Sequence, residues 1–170
     1  PDGYGVLRYN KLTFEHGIDL VKINPKLTQK DEYNNSIKGA IKLIKENPLT
    51  NKSKIILIGH SQGASVITDF ANDNSVDGLV LLSGSPRKLY DLYTEQLEYL
   101  FSIDGVETQA EKSMLQEHKD RINYFKSHNK NKIQTDSLPL GLNYEYWMYL
   151  EKYNPIENLK KSKKPTLIID

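Results

Sequence analysis

Lys54-Ile55-Ile56-Leu57-Ile58-Gly59-His60-Ser61-Gln62-Gly63-Ala64 joins an apolar run of strand character to a tight turn. The helix-compatible run Ala64-Ser65-Val66-Ile67-Thr68-Asp69-Phe70-Ala71 follows. The pattern is Gly-x-Ser-x-Gly in a strand–turn–helix setting. A serine at the tip of such a turn sits in strained backbone space. Its neighbours two residues away, Gly59 and Gly63, must be nearly free of side chain for strand and helix to approach. The Ser61 hydroxyl then stands alone above the sheet, open to a base and a substrate.

Outward from this turn, strand and helix signals alternate. Tyr4-Gly5-Val6-Leu7-Arg8-Tyr9 reads as a short buried strand, followed by a polar loop to about residue 27. Thr28-Gln29-Lys30-Asp31 matches a capping box, and Ile37, Ala40, Ile41 and Ile44 recur at helical spacing until Asn47-Pro48 stops the helix. Leu79-Val80-Leu81-Leu82-Ser83 gives another strand after the turn and its helix. Strands apolar on both faces, alternating with helices, predict an α/β fold with a parallel sheet.

From Pro86 the rhythm changes. Leu89, Leu92, Tyr93, Leu97, Leu100 and Phe101 mark an amphipathic helix over 88–101, and a charged helix is expected over about 108–128. Residues 137–142 break the pattern, Tyr144 to Leu150 form an aromatic helical segment, and Asn154-Pro155 opens another short helix. A strand returns at Pro165-Thr166-Leu167-Ile168-Ile169. Roughly 80 helical residues between two strands far exceed the dozen or so that a crossover needs. The expected organisation is a core of 1–85 with 164–170, and an inserted helical cap of 86–163.

Composition narrows the function classes. The 170 residues carry a net charge of +1, which gives no electrostatic case for nucleic acid or an anionic membrane. Lys160-Lys161-Ser162-Lys163-Lys164 reads as a solvated connector. With no cysteine there is no disulfide, thiolate metal site or cysteine nucleophile, and no apolar run approaches membrane-spanning length.

These pieces resemble the α/β-hydrolase superfamily, in its bacterial carboxylesterase and serine-aminopeptidase-like (dienelactone-hydrolase-like) branch. The matching segments are 6–11, 59–64, 79–84 and 164–169, with supporting likeness at Leu92 to Phe101, Tyr146-Trp147 and Tyr153-Asn154-Pro155. Relatives usually carry Asp-x-Arg-Gly where this chain has Asn10-Lys11-Leu12-Thr13. The resemblance implies a partial α/β-hydrolase sheet with a helical cap. It also implies cleavage of a small-molecule carboxylic ester by Ser61 as nucleophile, with no metal or organic cofactor. Gln62 would offer its backbone N–H to the oxyanion, while Gly59, His60 and Gly63 build the turn. The acid is expected just past Asp170 and the histidine beyond a further strand, so the chain is expected to be a middle section.

The four histidines fit a base poorly. His60 adjoins Ser61, but neighbours on a tight turn point apart, and the resemblance implies a packing role. His118 and His128 are expected at the surface of a charged helix, and His16 in an irregular loop, with an approach to the active-site mouth as its alternative. Asp170 is expected as a strand-end residue and Asp69 as solvent-facing or locally paired. Tyr90, Tyr93, Tyr99, Tyr144, Tyr146, Trp147 and Tyr149 are expected mainly to pack the helical segment, with one or two reaching a substrate. Thioesterase, peptidase and acyltransferase chemistry use the same turn. A non-catalytic hydrolase-like binding module is the alternative of another class.

Overall fold

The computed structural model describes residues 3–17, 19–20, 24, 26–128 and 133–170. In chain order its main elements are α1 (Leu12–His16), α2 (Gln29–Glu46), β1 (Ile56–His60), α3 (Gln62–Ile67), β2 (Gly78–Leu82), α4 (Leu89–Ser102), α5 (Gln109–Ser127), α6 (Tyr144–Lys152), α7 (Pro155–Lys160) and β3 (Thr166–Ile169). The chain is α/β, as the alternation of signals requires. It divides into two compact units, one of residues 1–17, 29–86 and 153–170, the other of 18–28 and 87–152.

The first unit is built on a parallel sheet in the order β1-β2-β3. Ile56 pairs with Gly78 and His60 with Leu82, while Leu79 pairs with Thr166 and Leu82 with Ile169. This register puts Leu57, Leu79, Gly59 and Leu81 on one face of the sheet, because side chains alternate along a strand. Against that face pack Ile37 and Ile41 of α2 and Ala64, Val66 and Ile67 of α3, with Phe70, Ala71 and Val76 completing the core. The apolar residues of α2 recur at helical spacing, so one stripe of that helix is buried.

Three expectations are corrected in this unit. Residues 4–9 are not a buried strand: they have no sheet partner among the described residues, and Tyr4 and Val6 are almost fully exposed. Their apolar residues supply the side chains of a strand, but a strand also needs a neighbour for its backbone. The polar loop after it contains a helical turn, α1, which ends at Gly17 with φ 65°. Lastly, β2 is buried or half-buried along its length, but β1 and β3 are not covered on both faces. Ile56 and Ile58 are 50% and 65% exposed, and Leu167, Ile168 and Ile169 on the edge strand are also open.

The second unit has its own core of Tyr90, Ile122, Phe125, Leu138 and Trp147. Trp147 is fully buried, its ring centroid 5.9 Å from Tyr90 and 5.8 Å from Phe125, and its indole N–H donates to Pro139 O at 3.2 Å. That bond satisfies the one polar atom that burying a tryptophan strands. Buried Asn143 accepts from the Tyr146 N–H at 2.8 Å at the start of α6 and donates to Leu27 O at 3.0 Å. Thr108 and Glu111 form a reciprocal capping box that starts α5. The break between α5 and α6 is real: Leu140 and Gly141 both take left-handed backbone.

His118 corrects a further expectation. It is only 6% exposed, because 118, 122 and 125 lie on one stripe of α5 with Ile122 and Phe125. The charge of the helix as a whole hid that stripe. Among the described residues no helix is long and apolar enough to cross a membrane.

Candidate active site

The local structure around Ser61 follows from steric exclusion. β1 runs through His60, α3 begins at Gln62, and Ser61 between them has φ 54° and ψ −121°. Side-chain-bearing residues rarely occupy that region, and holding one there costs of order 1–3 kcal/mol. Two bonds fix it. The Ser61 N–H donates to Leu82 O at 2.9 Å, extending the β1–β2 ladder, and its carbonyl accepts from the Ala64 N–H at 3.0 Å. Ser61 is exposed and its side chain makes no capping bond, so the hydroxyl is not spent on the helix it precedes.

The two glycines of the turn differ in what they supply. A Cβ on Gly59 would lie 2.3 Å from Gly63 O and 2.7 Å from Ala64 N, so the strand backbone presses on the first turn of α3. A Cβ on Gly63 would meet nothing within 4 Å. The close approach thus requires a bare residue at 59 alone. A second contact of the same kind lies alongside: a Cβ on Gly84 would fall 2.8 Å from the Ala64 side chain. Ser83, with φ 46°, turns the chain leaving β2 toward α3, where Ser65 Oγ donates to Ser85 O at 3.0 Å. At the far end of α3, the Tyr153 hydroxyl donates to Ser65 O at 2.7 Å.

The side chain of Gln62 joins a polar cluster that sequence reading missed. Its Oε1 accepts from the Tyr33 hydroxyl and its Nε2 donates to Gln29 Oε1, each at 3.1 Å. Lys11 Nζ donates to the Tyr33 hydroxyl at 3.2 Å and lies 3.5 Å from Glu32 Oε1, which also accepts from the Thr13 hydroxyl. Glu32 and Gln29 are each 2% exposed. Burial pushes the Tyr33 hydroxyl above its ordinary range, Glu32 adds to this, and Lys11 partly opposes it. For Lys11, burial works downward, but Tyr33 and Glu32 outweigh it and hold the ammonium above its usual range. Lys11 is therefore charged and Tyr33 neutral near neutral pH. The overlooked signal was the step of four through Gln29, Tyr33, Ile37 and Ile41, which extends the buried stripe of α2 with polar residues.

The remaining candidates lie as follows. His60 ends β1 exposed rather than packed, and His16 ends α1, also exposed. His128 is exposed just past α5, with its ring 4.3 Å from that of Tyr124. His118 packs edge-on to Tyr93, with ring centroids 4.9 Å apart, and its Nε2 has no hydrogen-bond partner among the described residues. No histidine is hydrogen-bonded to Ser61 among the described residues. Asp170 follows β3 and is exposed. Asp69 is neither solvent-facing nor locally paired: it accepts from Asn34 at 2.7 Å and Asn158 at 3.0 Å, tying the turn after α3 to α2 and α7. Of the aromatic candidates, Tyr90, Tyr146 and Trp147 are buried in the second unit, whereas Tyr99 is 69% exposed.

No protein-family model matches this chain. No solved structure matches it either. Over 167 residues, 98% of its length, the chain is 28% identical to Esterase EstD of Thermotoga maritima. It spans 37% of the length of that relative.

Proposed function

We propose that the complete protein is an α/β-hydrolase that cleaves carboxylic esters through an acyl-enzyme on Ser61. One observation carries the reading: Ser61 is exposed in strained backbone at the junction of β1 and α3, its hydroxyl free of any capping bond. Similarity to a protein named an esterase supports the ester class.

In the first step a histidine takes the Ser61 hydroxyl proton, and Oγ attacks the ester carbonyl carbon. The Gln62 backbone N–H, at the start of α3, helps hold the oxyanion. The tetrahedral adduct then collapses, its bond to the alcohol oxygen breaks, and the histidine returns the proton to the departing alkoxide. Water, deprotonated by the same histidine, attacks the acyl carbon; the acyl bond to Oγ then breaks, the histidine returns the proton to Oγ, and the carboxylic acid leaves. No step requires a metal or organic cofactor. This reading takes the histidine and its carboxylate partner from outside residues 1–170, and takes residues 86–163 as a helical cap inserted in the hydrolase core.

The test is covalent labelling of the complete protein with a fluorophosphonate, together with hydrolysis of p-nitrophenyl esters of graded chain length. Label is expected on Ser61, and Ser61→Ala is expected to abolish both label and turnover. Label elsewhere, or turnover that survives the substitution, overturns the assignment. A protein that binds esters and takes no label is a binding module instead.

A further inference from the structure

A serine that precedes a helix ordinarily turns its hydroxyl onto the free N–H groups of the first turn. Ser61 does not, so the start of α3 is secured by other means. The most direct fastening is the side chain of the next residue. Gln62 is held at both ends of its amide by two residues one turn apart on α2, Tyr33 at Oε1 and Gln29 at Nε2. Because one end of an amide only accepts and the other only donates, this grip has a single orientation.

The orientation is imposed from upstream. Lys11 has donors and no acceptor, so its bond to the Tyr33 hydroxyl leaves the tyrosine proton to point at Gln62. Lys11 is itself seated on the buried Glu32 carboxyl, which the Thr13 hydroxyl also contacts. The resulting chain, Glu32–Lys11–Tyr33–Gln62–Gln29, lies within one compact unit and runs from the segment before α1 to the start of α3.

Resting on the reading of Ser61 as nucleophile, we infer that Tyr33 is a positioning residue: through the Gln62 side chain it fixes the Ser61–Gln62 peptide, and with it both the attacking oxygen and the oxyanion N–H. Tyr33 bonds to Gln62 and acts through it. Its effect falls on the rate of acylation rather than on binding, because the peptide it steadies matters most as the tetrahedral adduct forms. Misplacing a reacting group by about 1 Å costs about 100-fold in rate, so partial loosening by loss of one bond is expected to cost about tenfold.

The experiment is a double-mutant cycle in the complete protein, using Tyr33→Phe, Gln62→Met and their combination. Tyr33→Phe removes one oxygen and Gln62→Met nearly conserves volume, and thermal melts monitor folding of each. The rate of fluorophosphonate labelling and the kcat and KM for a p-nitrophenyl ester are measured. Each single variant is expected to lose about tenfold in labelling rate and kcat with KM within about twofold, and the double variant to be no slower than the worse single one. Wild-type labelling by Tyr33→Phe, a loss confined to KM, or multiplicative losses in the double variant would overturn the inference. A lower melting temperature with unchanged rates would also overturn it, since it means the bond serves stability alone. The two readings fail separately: a labelled wild type with a fast Tyr33→Phe removes only the positioning role, whereas a wild type that takes no label at Ser61 removes both.

Discussion

Replacing Gly59 by alanine adds a single methyl group at the place where β1 meets α3. That carbon would lie 2.3 Å from Gly63 O, 2.5 Å from Gly63 C and 2.7 Å from Ala64 N. All three are backbone atoms, so no rotamer change relieves the overlap. The oxygen would have to retreat by 1.1 Å, from 2.3 to the 3.4 Å of ordinary contact. Its helix is held on one side by the Ser61–Leu82 bond and on the other by Ser65 and Tyr153. Overpacking by a methylene costs about 1–3 kcal/mol where side chains can yield, so a clash with fixed backbone is expected to cost about 3 kcal/mol or more. For a domain of this length that lowers Tm by about 6–12 °C. Gly63→Ala is the control, because its Cβ would meet nothing within 4 Å. Inside α3, alanine is expected to raise stability by about 0.5–1 kcal/mol, or Tm by about 1–4 °C. Thermal unfolding followed by far-ultraviolet circular dichroism reads both. A Gly59→Ala protein that melts within about 2 °C of wild type, or a Gly63→Ala protein that falls as far, would refute the reasoning.

Ser61→Gly is expected to be more stable than Ser61→Ala by about 1–3 kcal/mol, since only glycine relaxes at φ 54° and ψ −121°, while both lose covalent labelling; urea titration showing equal stability would contradict the strain. Asp69→Ala leaves the Asn34 amide without its acceptor and Asn158 with the Thr68 hydroxyl in its place, and is expected to cost about 1–3 kcal/mol, again measurable by urea titration. His118 gives a pH dependence of known sign. Burial holds its pKa below the ordinary value and a bond to the Tyr90 backbone only partly offsets this. The unfolded chain therefore takes up the proton first, so the histidine's contribution is full above about pH 6.5 and is lost as pH falls toward the folded value. His118→Phe is expected to flatten that acid-side loss in melts from pH 7.5 down to 5, and an unchanged slope would show that other groups cause it.

Much of the fold was legible because its signals are local. The run Ile55 to Ile58, the bare Gly59 and the apolar start of α3 fix strand, turn and helix from neighbours in sequence. The Asn47-Pro48 stop and the spacing of Leu89 to Phe101 worked for the same reason. What failed depends on partners far along the chain. Residues 4–9 have the side chains of a strand without a neighbour to bond among the described residues. Asp69 found its partners 35 and 89 residues away. His118 was obscured by the charges around it, although the stripe it shares with Ile122 and Phe125 was present in the spacing. Around Ser61 the turn geometry was readable, but the grip of Tyr33 and Gln29 on Gln62 spans 29 and 33 residues and left only the polar end of the α2 stripe as a trace.

The interleaving of the two units has a consequence for how the chain folds as it is made. Residues 18–28 belong with 87–152, and 153–170 belong with 29–86, so each unit waits on sequence synthesised after part of the other. The Leu27 carbonyl meets its Asn143 partner only when 116 further residues have been added, about 6–23 s at ribosomal rates of about 5–20 residues per second. The sheet waits longer still, since β2 gains its second neighbour only when β3 emerges. The second unit can therefore close first. The strand–serine junction precedes the second unit's main segment in the sequence, yet gains its final support only once Tyr153 and β3 follow.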